Sequence, residues 1–445
     1  VTDPVTAGDA LAAGWEWLAT LPRAATAHAA RGDDPLAAMR GLLAELDHPQ
    51  RRLRAIHLAG SKGKGSTALY VEAVLERLGQ RTFTYTSPHL ERWTERFRLD
   101  GAEAPADAAL EALRAVRAAA RTSGIRPGFF EALTVAGFVL AARANADWAI
   151  IEAGVGGRAD ATNVVHPHIA VLTSVELEHT ERLGHTLEAI AREKLGIVKA
   201  GIPLVAPELD RGVEAEIDAA LRATGSDRVR VRRMARPTRI GLTGAVHWHR
   251  DGAGPVTVSG AGWSVRTPLA TPGHVAGANA ALALATVAQL GIAPAAGLQR
   301  AARVLADRPL PGRAEIVSIL PWVLVDGAHT AASAHALRDV LDATGARRIH
   351  LLLSVSASKP VADVLAPLLE RADAATVTRA DPDYSLAADD LAAAIRALAP
   401  GLAVETVPDP DVALAHTARD APGETLVVAT GSVYLAGRVR RAFSH

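Results

Sequence analysis

The 445-residue chain has no cysteine. That removes disulfides, thiolate metal sites and cysteine nucleophiles from consideration. It also lacks net charge. Lys+Arg and Asp+Glu both number 48, so there is no global basic field to hold a polyanion, and nucleic acid is not expected as a partner. Long apolar runs are missing too. A stretch such as Ala132–Ala142 is too short to span a bilayer and ends in charge at Arg143, so no membrane partner is expected. The opening Val1-Thr2-Asp3-Pro4-Val5 has no basic segment leading into an apolar core. A secretory signal is therefore not expected, and the expected location is cytoplasmic. No internal repeat or low-complexity tract is present. What remains is a chain with 49% apolar and 22% charged residues, a globular composition whose length calls for two or three domains.

The chain is organised around Gly60-Ser61-Lys62-Gly63-Lys64-Gly65-Ser66-Thr67. The apolar-leaning run Leu53-Arg54-Ala55-Ile56-His57 precedes it, through Leu58-Ala59, and reads as a buried strand; Ala68–Glu76 follows and reads as a helix. Strand, glycine-rich turn and helix is the setting in which backbone N–H groups wrap a phosphate at a helix N-terminus. Lys64 would bring positive charge toward the β/γ-phosphates, and Ser66 or Thr67 a hydroxyl. The spacing differs from the common G-x-x-x-x-G-K-[ST], because Gly65 follows the lysine. The alternative is a lysine-bearing turn with no ligand.

Further strand patterns at 81–86, 147–154, 169–174 and 203–206 alternate with helical ones at Ala106–Ala120, Glu131–Arg143 and Leu187–Val198. This argues for an α/β domain with a mostly parallel sheet, whose ligands sit beyond the carboxyl ends of the strands. Residues 8 to 48 are helical in pattern, broken by a loop at Gly32–Pro35. From about Val229 to Val265 short β-prone pieces (Arg239–Leu242, Ala245–Trp248, Val256–Val258, Trp263–Val265) suggest a small antiparallel sheet appended to the first domain, followed by a helix at Ala276–Leu290. Pro and charge near Asp307–Arg313 read as a linker. Beyond it, Trp322–Val325, Ile349–Leu353, Ala375–Thr378 and Leu426–Ala429 alternate with helices near Ala331–Thr344, Val361–Arg371 and Asp389–Ala399 as a smaller α/β domain. The expected division is 1–306 and 307–445.

Several strand ends carry polar groups. Glu152, followed by the glycine turn through Gly154, Gly156 and Gly157, can reach Mg²⁺, a hard cation that prefers oxygen; a tight turn with an N-cap is the other reading. Glu178-His179 puts an acid and an imidazole at another strand end. Val325-Asp326-Gly327-Ala328-His329 does the same in the second half, with Arg313 after a Pro-Gly pair nearby in sequence. Such charge clamps suit phosphoryl transfer, and an interface ion pair is the alternative. Lys194 sits on a helix that runs away from these ends, where a lysine is ordinarily a solvated charge.

Taken together and in order, these runs resemble the folylpolyglutamate synthase/dihydrofolate synthase family of the Mur ligase superfamily. The matching segments are Leu42–Gln50 with Ile56–Thr67, Thr86–Leu90 with Glu95–Arg98, Phe130-Glu131 with Thr134, Glu152–Asn163, His179 with Leu183–Thr186 and Glu193–Ile197, Pro311–Arg313, Asp326–His329 and Gly431–Tyr434. The resemblance implies an ATP-dependent ligase with a P-loop NTPase-like first domain. It would form an acyl phosphate on a folate or dihydropteroate carboxylate and pass the acyl group to the amine of L-glutamate with release of phosphate, as a monomer; the alternatives are a ligase of the same family joining a different carboxylate and amine, and a non-catalytic nucleotide-binding protein. It implies that Lys64 acts on the phosphates and that Gly60–Thr67, Asn279, Arg313 and Asp326 contact ATP. Ser87, Glu152 and His179 would hold Mg²⁺, and Lys194 would be carbamylated. His329 would hold the amino acid, while Phe130, Glu131, Arg158 and Asp160 would bind the pterin-bearing acceptor. The chain departs from the family pattern at Ser61-Lys62 (commonly Thr-Asn), Glu178 (Asp), Thr330 (Asn), Val275 (often Gln) and Ala38 (Arg).

Overall fold

The computed structural model describes residues 7–22, 34–236, 245–420 and 424–443. Val1–Val5, the first half of the Gly32–Pro35 break and the expected strand Arg239–Leu242 lie outside the described residues. The chain divides into two compact units. One comprises the chain up to His249 with Val256–Pro268 and Ala278–Ala306; the other comprises Arg250–Pro255, Leu269–Gly277 and the chain from Asp307 onward.

In the first unit, eleven strands among the described residues form one sheet. They are β1 (Ala55–Ala59), β2 (Thr82–Tyr85), β3 (Phe97–Leu99), β4 (Ala102–Glu103), β5 (Trp148–Glu152), β6 (Pro167–Leu172), β7 (Leu204–Pro207), β8 (Arg228–Arg233), β9 (Ala245–His249), β10 (Val256–Gly260) and β11 (Trp263–Thr267). The order is β11-β10-β9-β8-β7-β6-β1-β5-β2-β3-β4. From β9 to β2 every pairing is parallel, as in Ala55 with Ala149 and Leu58 with Val171. The antiparallel strands are present, and β9–β11 extend the edge of this same sheet.

Burial on both faces explains the near-continuous apolar strands: β1, β2 and β5 are buried at every position. Ala55, Phe83, Tyr85 and Ile151 share a core with residues of the helices Ala106–Ser123 and Phe129–Arg143. The helix Lys64–Arg77 packs on β1, β2 and β5. The order sets β1 between β5 and β6, so the loops leaving all three carboxyl ends gather at one place, the position at which open α/β sheets bind ligands.

The second unit holds β12 (Glu315–Ile319), β13 (Trp322–Val325), β14 (Arg348–Leu353), β15 (Ala374–Val377), β16 (Ala403–Thr406) and β17 (Thr425–Thr430), in the order β12-β13-β17-β14-β15-β16. Only β12 runs antiparallel to its neighbour. Helices such as Ala331–Thr344, Val361–Leu369 and Ala388–Leu398 bury Leu337, Leu365 and Leu391 against it. No described helix is long and apolar enough to cross a membrane.

Candidate active site

The loop after β1 is stitched to the end of β6. Ser61 N–H donates to Ser174 O at 2.9 Å, Lys62 N–H to Ser174 Oγ at 2.8 Å, and Thr173 Oγ1 to Lys62 O at 2.5 Å. Gly60 cannot be replaced without disturbing this seam. Its φ is +155°, and a Cβ there would stand 1.9 Å from Thr173 Oγ1. Gly63 turns the chain into the helix with a left-handed φ of +82°, and a Cβ on it would meet Asn279 Oδ1 at 2.4 Å. Asn279 thus belongs to the P-loop in space, and Thr67 Oγ1 also lies 3.5 Å from its Oδ1. Lys64 opens the helix Lys64–Arg77 and folds back, its Nζ donating to Gly60 O at 2.8 Å. Gly65 and Ser66 occupy the same first turn, half-buried. The first N–H groups of a helix have no intrahelical acceptor, and with the adjacent ammonium they have the chemistry of a phosphate cradle.

Glu152, at the end of β5 and buried, faces this turn. A Cβ on Gly65 would lie 3.2 Å from its Oε2, and the same oxygen accepts the Ser87 N–H at 2.9 Å. Glu152 and Ser87 therefore meet beside the cradle. A carboxylate and a hydroxyl residue are the oxygen donors a hard cation takes. His179 follows β6 with a left-handed φ of 47°. Partial burial holds its imidazole below the ordinary value against the pull of Glu178 and Glu181, which keeps a ring nitrogen unprotonated for ligation. Of the three expected ligands the structure joins Glu152 and Ser87, whose oxygens are of the kind Mg²⁺ takes. Among the described residues no three His, Asp or Glu side chains converge into a metal cage, so protein ligands would be supplemented by water and phosphate.

Lys194 is not the solvated lysine its helix suggests. It is 1% exposed and its Nζ donates to Glu178 Oε1 at 3.0 Å. Burial pushes its pKa down to about 8 despite Glu178. The other Glu178 oxygen lies 3.5 Å from Lys62 Nζ. Burial would raise the Glu178 carboxyl, yet Lys194, Lys64 and Lys62 together hold it below its ordinary value. Two departures from the family pattern, Lys62 and Glu178, are thus in contact: the longer acid spans both lysines. The backbone around Lys194 is fixed by crossed glycines. A Cβ on Gly157 would lie 2.5 Å from Lys194 O, and one on Gly196 would lie 2.5 Å from Arg158 Cα.

The acceptor candidates surround the glycine turn after β5. Phe130 lies against Gly154, where a Cβ would come within 2.7 Å of its ring. Glu131, buried, closes the start of its own helix by accepting the Gly128 N–H at 2.7 Å. Arg158 is exposed and reaches Arg192 O at 3.3 Å and Glu193 Oε1 at 3.6 Å. Asp160 is buried, with Oδ1 accepting Thr162 N–H at 3.0 Å and Oδ2 accepting Val155 N–H at 3.0 Å, so it also holds the turn together.

Arg313, Asp326 and His329 belong to the second unit. Asp326 accepts the Ala314 and Ala328 N–H groups at 2.7 Å each. Arg313 Nη1 donates to Gly312 O at 2.9 Å and lies close over Gly327, where a Cβ would stand 2.8 Å from it. His329 Nδ1 donates to Gly327 O at 2.8 Å, which fixes the ring. Thr330 caps the helix Ala331–Thr344 through Ser333 N–H.

Pattern reading alone passed over three features: the burial of Lys194, the Lys62–Glu178 contact and the link from His57 to Thr162. Gly157 and Gly196 were the available signal for the first, since paired glycines mark close backbone approach.

The Mur ligase middle domain matches residues 58–287, and the Mur ligase glutamate ligase domain matches 312–433. The chain is 32% identical over 416 residues to the folylpolyglutamate synthase of Lacticaseibacillus casei, covering 90% of this chain and 92% of that one. It is 33% identical over 458 residues to the dihydrofolate synthase/folylpolyglutamate synthase of Mycobacterium tuberculosis, covering 93% and 91%. The solved Mycobacterium tuberculosis folylpolyglutamate synthase complexed with ADP superposes with a TM-score of 0.85 at 29% identity, over 99% of both chains. The Yersinia pestis bifunctional folylpolyglutamate synthase/dihydrofolate synthase complexed with AMPPNP and Mn ion does so with 0.81 at 27% identity, again over 99% of both. With the P-loop geometry above, these likenesses make the chain an ATP-dependent ligase that belongs to the folylpolyglutamate synthase/dihydrofolate synthase family of the Mur ligase superfamily.

Proposed function

We propose that this ligase adds L-glutamate to dihydropteroate, to a reduced folate, or to both, acting as a monomer in the cytoplasm. The observation that carries the reading is the single cradle in which Lys64, the first turn of its helix, Glu152 and Ser87 meet. An acceptor carboxylate is a poor electrophile. Its oxygen would take the γ-phosphoryl of ATP, releasing ADP; the glutamate amine would then attack the acyl carbon, and phosphate would leave. Lys64 and the helix N–H groups stabilise negative charge on the phosphoryl in flight. Mg²⁺, held by Ser87, Glu152 and His179, would supply further charge neutralisation.

The division of labour follows the expected domains, with ATP on 1–306 through Gly60–Thr67 and Asn279. From 307–445, Arg313 and Asp326 contribute to nucleotide binding and His329 to the amino acid. Phe130, Glu131, Arg158 and Asp160 form the acceptor side. Lys194 becomes a carbamate by adding CO₂ to its neutral amine with loss of a proton. Its burial supports this, because the neutral form is more populated near pH 8 than in an exposed lysine.

The test is mass spectrometry of the protein with MgATP, L-glutamate and, in parallel, dihydropteroate or tetrahydrofolate. A product one glutamate heavier, formed with ADP, is expected from at least one acceptor. ATP binding without a product from either would overturn the acceptor assignment.

A further inference from the structure

We propose that His57 is a positioning residue for the acceptor half of the site, acting through Thr162 to fix the Asp160 carboxylate and the Val155 N–H of the glycine turn. The proposal rests on the reading of Asp160 as an acceptor contact.

His57 lies in β1, the strand that feeds the P-loop, and has no solvent exposure; nor has Thr162. Its Nε2 is 2.9 Å from Thr162 Oγ1, and Thr162 Oγ1 is 2.5 Å from Asp160 Oδ1. The direction of the chain follows from proton counting. A carboxylate only accepts, so the one hydroxyl proton of Thr162 points to Asp160. Toward His57 the hydroxyl can then only accept, and the imidazole carries its hydrogen on Nε2. Nδ1 is left as a bare acceptor, buried and without a hydrogen-bond partner. Burial pushes the His57 pKa down to about 3, with Lys199 adding to the effect, so the ring stays neutral at working pH.

This arrangement is costly as packing. Ala55, Ile56, Leu58 and Ala59 around it in β1 are all fully buried, and an aliphatic residue would avoid an unsatisfied acceptor. What an aliphatic residue cannot supply is a donor to Thr162. With that donor in place, Thr162 has no alternative orientation for its hydroxyl. Asp160 is then held at Oδ1 by the side chain and N–H of Thr162 and at Oδ2 by Val155. A chain of this kind, dry and directional, reinforces each of its members. It runs from the strand ahead of Gly60 to the turn behind Glu152, and so ties the acceptor loop to the strand carrying the phosphate cradle.

The variants are His57→Leu, His57→Gln and Thr162→Val in the full chain, with steady-state kinetics on the acceptor and on MgATP. His57→Leu and Thr162→Val are expected to raise the acceptor KM roughly tenfold, the scale of one lost hydrogen bond to a charged system. The KM for MgATP and kcat should stay within about twofold, since the cradle itself is untouched. His57→Gln keeps a donor and should recover most of the acceptor affinity; a purely structural role would instead lower all parameters and stability together. Should His57→Leu not fold, Thr162→Val, nearly isosteric, interrupts the same chain. Nitrogen-15 NMR of the wild-type protein gives an activity-independent reading, with the Nε2–H tautomer expected for His57. An Nδ1–H tautomer, or an unchanged acceptor KM in Thr162→Val, would overturn the proposal. Asp160→Asn separates the two levels. If it leaves acceptor KM unchanged, the role of Asp160 fails; if it raises KM while Thr162→Val does not, the relay fails alone.

Discussion

Two lysines near the P-loop differ in what surrounds them, and so in what their removal should do. Lys64 is half-buried and bonded only within the loop, to Gly60 O and Ser61 O. Lys64→Ala should abolish ATP-dependent ligation while leaving the far-ultraviolet circular dichroism and thermal midpoint nearly unchanged; retained turnover would show that the cradle is misassigned. Lys194 is buried with a pKa of about 8, against 10.5 for a free lysine. Between those values the unfolded chain binds the extra proton, so the stability contributed by this group rises as pH rises from about 8 to 10.5, and its full penalty applies below. Urea unfolding at pH 7.5 and 10 should therefore show wild type gaining on Lys194→Met at the higher pH; a difference independent of pH would mean that the ammonium is not desolvated. Helical periodicity could not reveal this, because it records which face a residue occupies and not which acid comes from another loop to meet it. The resemblance to the family singled out Lys194; the pattern did not.

The elements nearest the site were the most legible ones. β1, β5 and β6 are largely apolar and, His168 apart, buried at every position, and they appear within a residue or two of expectation at Ala55–Ala59, Trp148–Glu152 and Pro167–Leu172. β8 falls at the start of the β-prone stretch from about Val229 without standing out as a piece of it, and β16 is not marked at all. Arg228–Arg233 looks like a charge run, but its alternate arginines reach Glu214 and Glu208, and Ala403–Thr406 is an edge strand with no position fully buried. Such strands are made by their neighbours and leave little trace in their own composition. Loop crossings are equally silent until seen. Gly196→Ala would set a Cβ 2.4 Å from Arg158 Cβ and 2.5 Å from its Cα, and these atoms cannot swing aside as a flexible side chain would. The expected cost is about 1–3 kcal/mol in urea unfolding, together with reduced ligation as Lys194 shifts. Gly401→Ala, with nothing within 4 Å and no positive φ, is the neutral control. Equal stability of the two variants would contradict the crossing.

At the scale of the molecule, the sequence reads as two blocks meeting at 306/307, whereas the second unit also takes in Arg250–Pro255 and Leu269–Gly277. Within that unit Arg250, buried, donates to Gly254 O at 2.8 Å, Thr271 O at 3.0 Å and Gly273 O at 2.7 Å. His274 pairs with Asp339 at 2.8 Å, and Gly273 closes over Val340. Nothing in residues 250–277 announces this, because the contacts are made by one arginine with backbone carbonyls, one histidine and one glycine, none of which forms a pattern. A fragment of residues 307–445 expressed alone should then bind a hydrophobic dye and melt less cooperatively than the same residues in the full chain. A sharp transition without dye binding would show that the two borrowed segments are dispensable. The interleaving also bears on ancestry. A unit that needs two stretches encoded upstream of its main body cannot be exchanged between genes by a single crossover at residue 307. Recombinants at that point would inherit mismatched segments, so the two halves of this ligase should descend together, with horizontal transfer moving them as one piece.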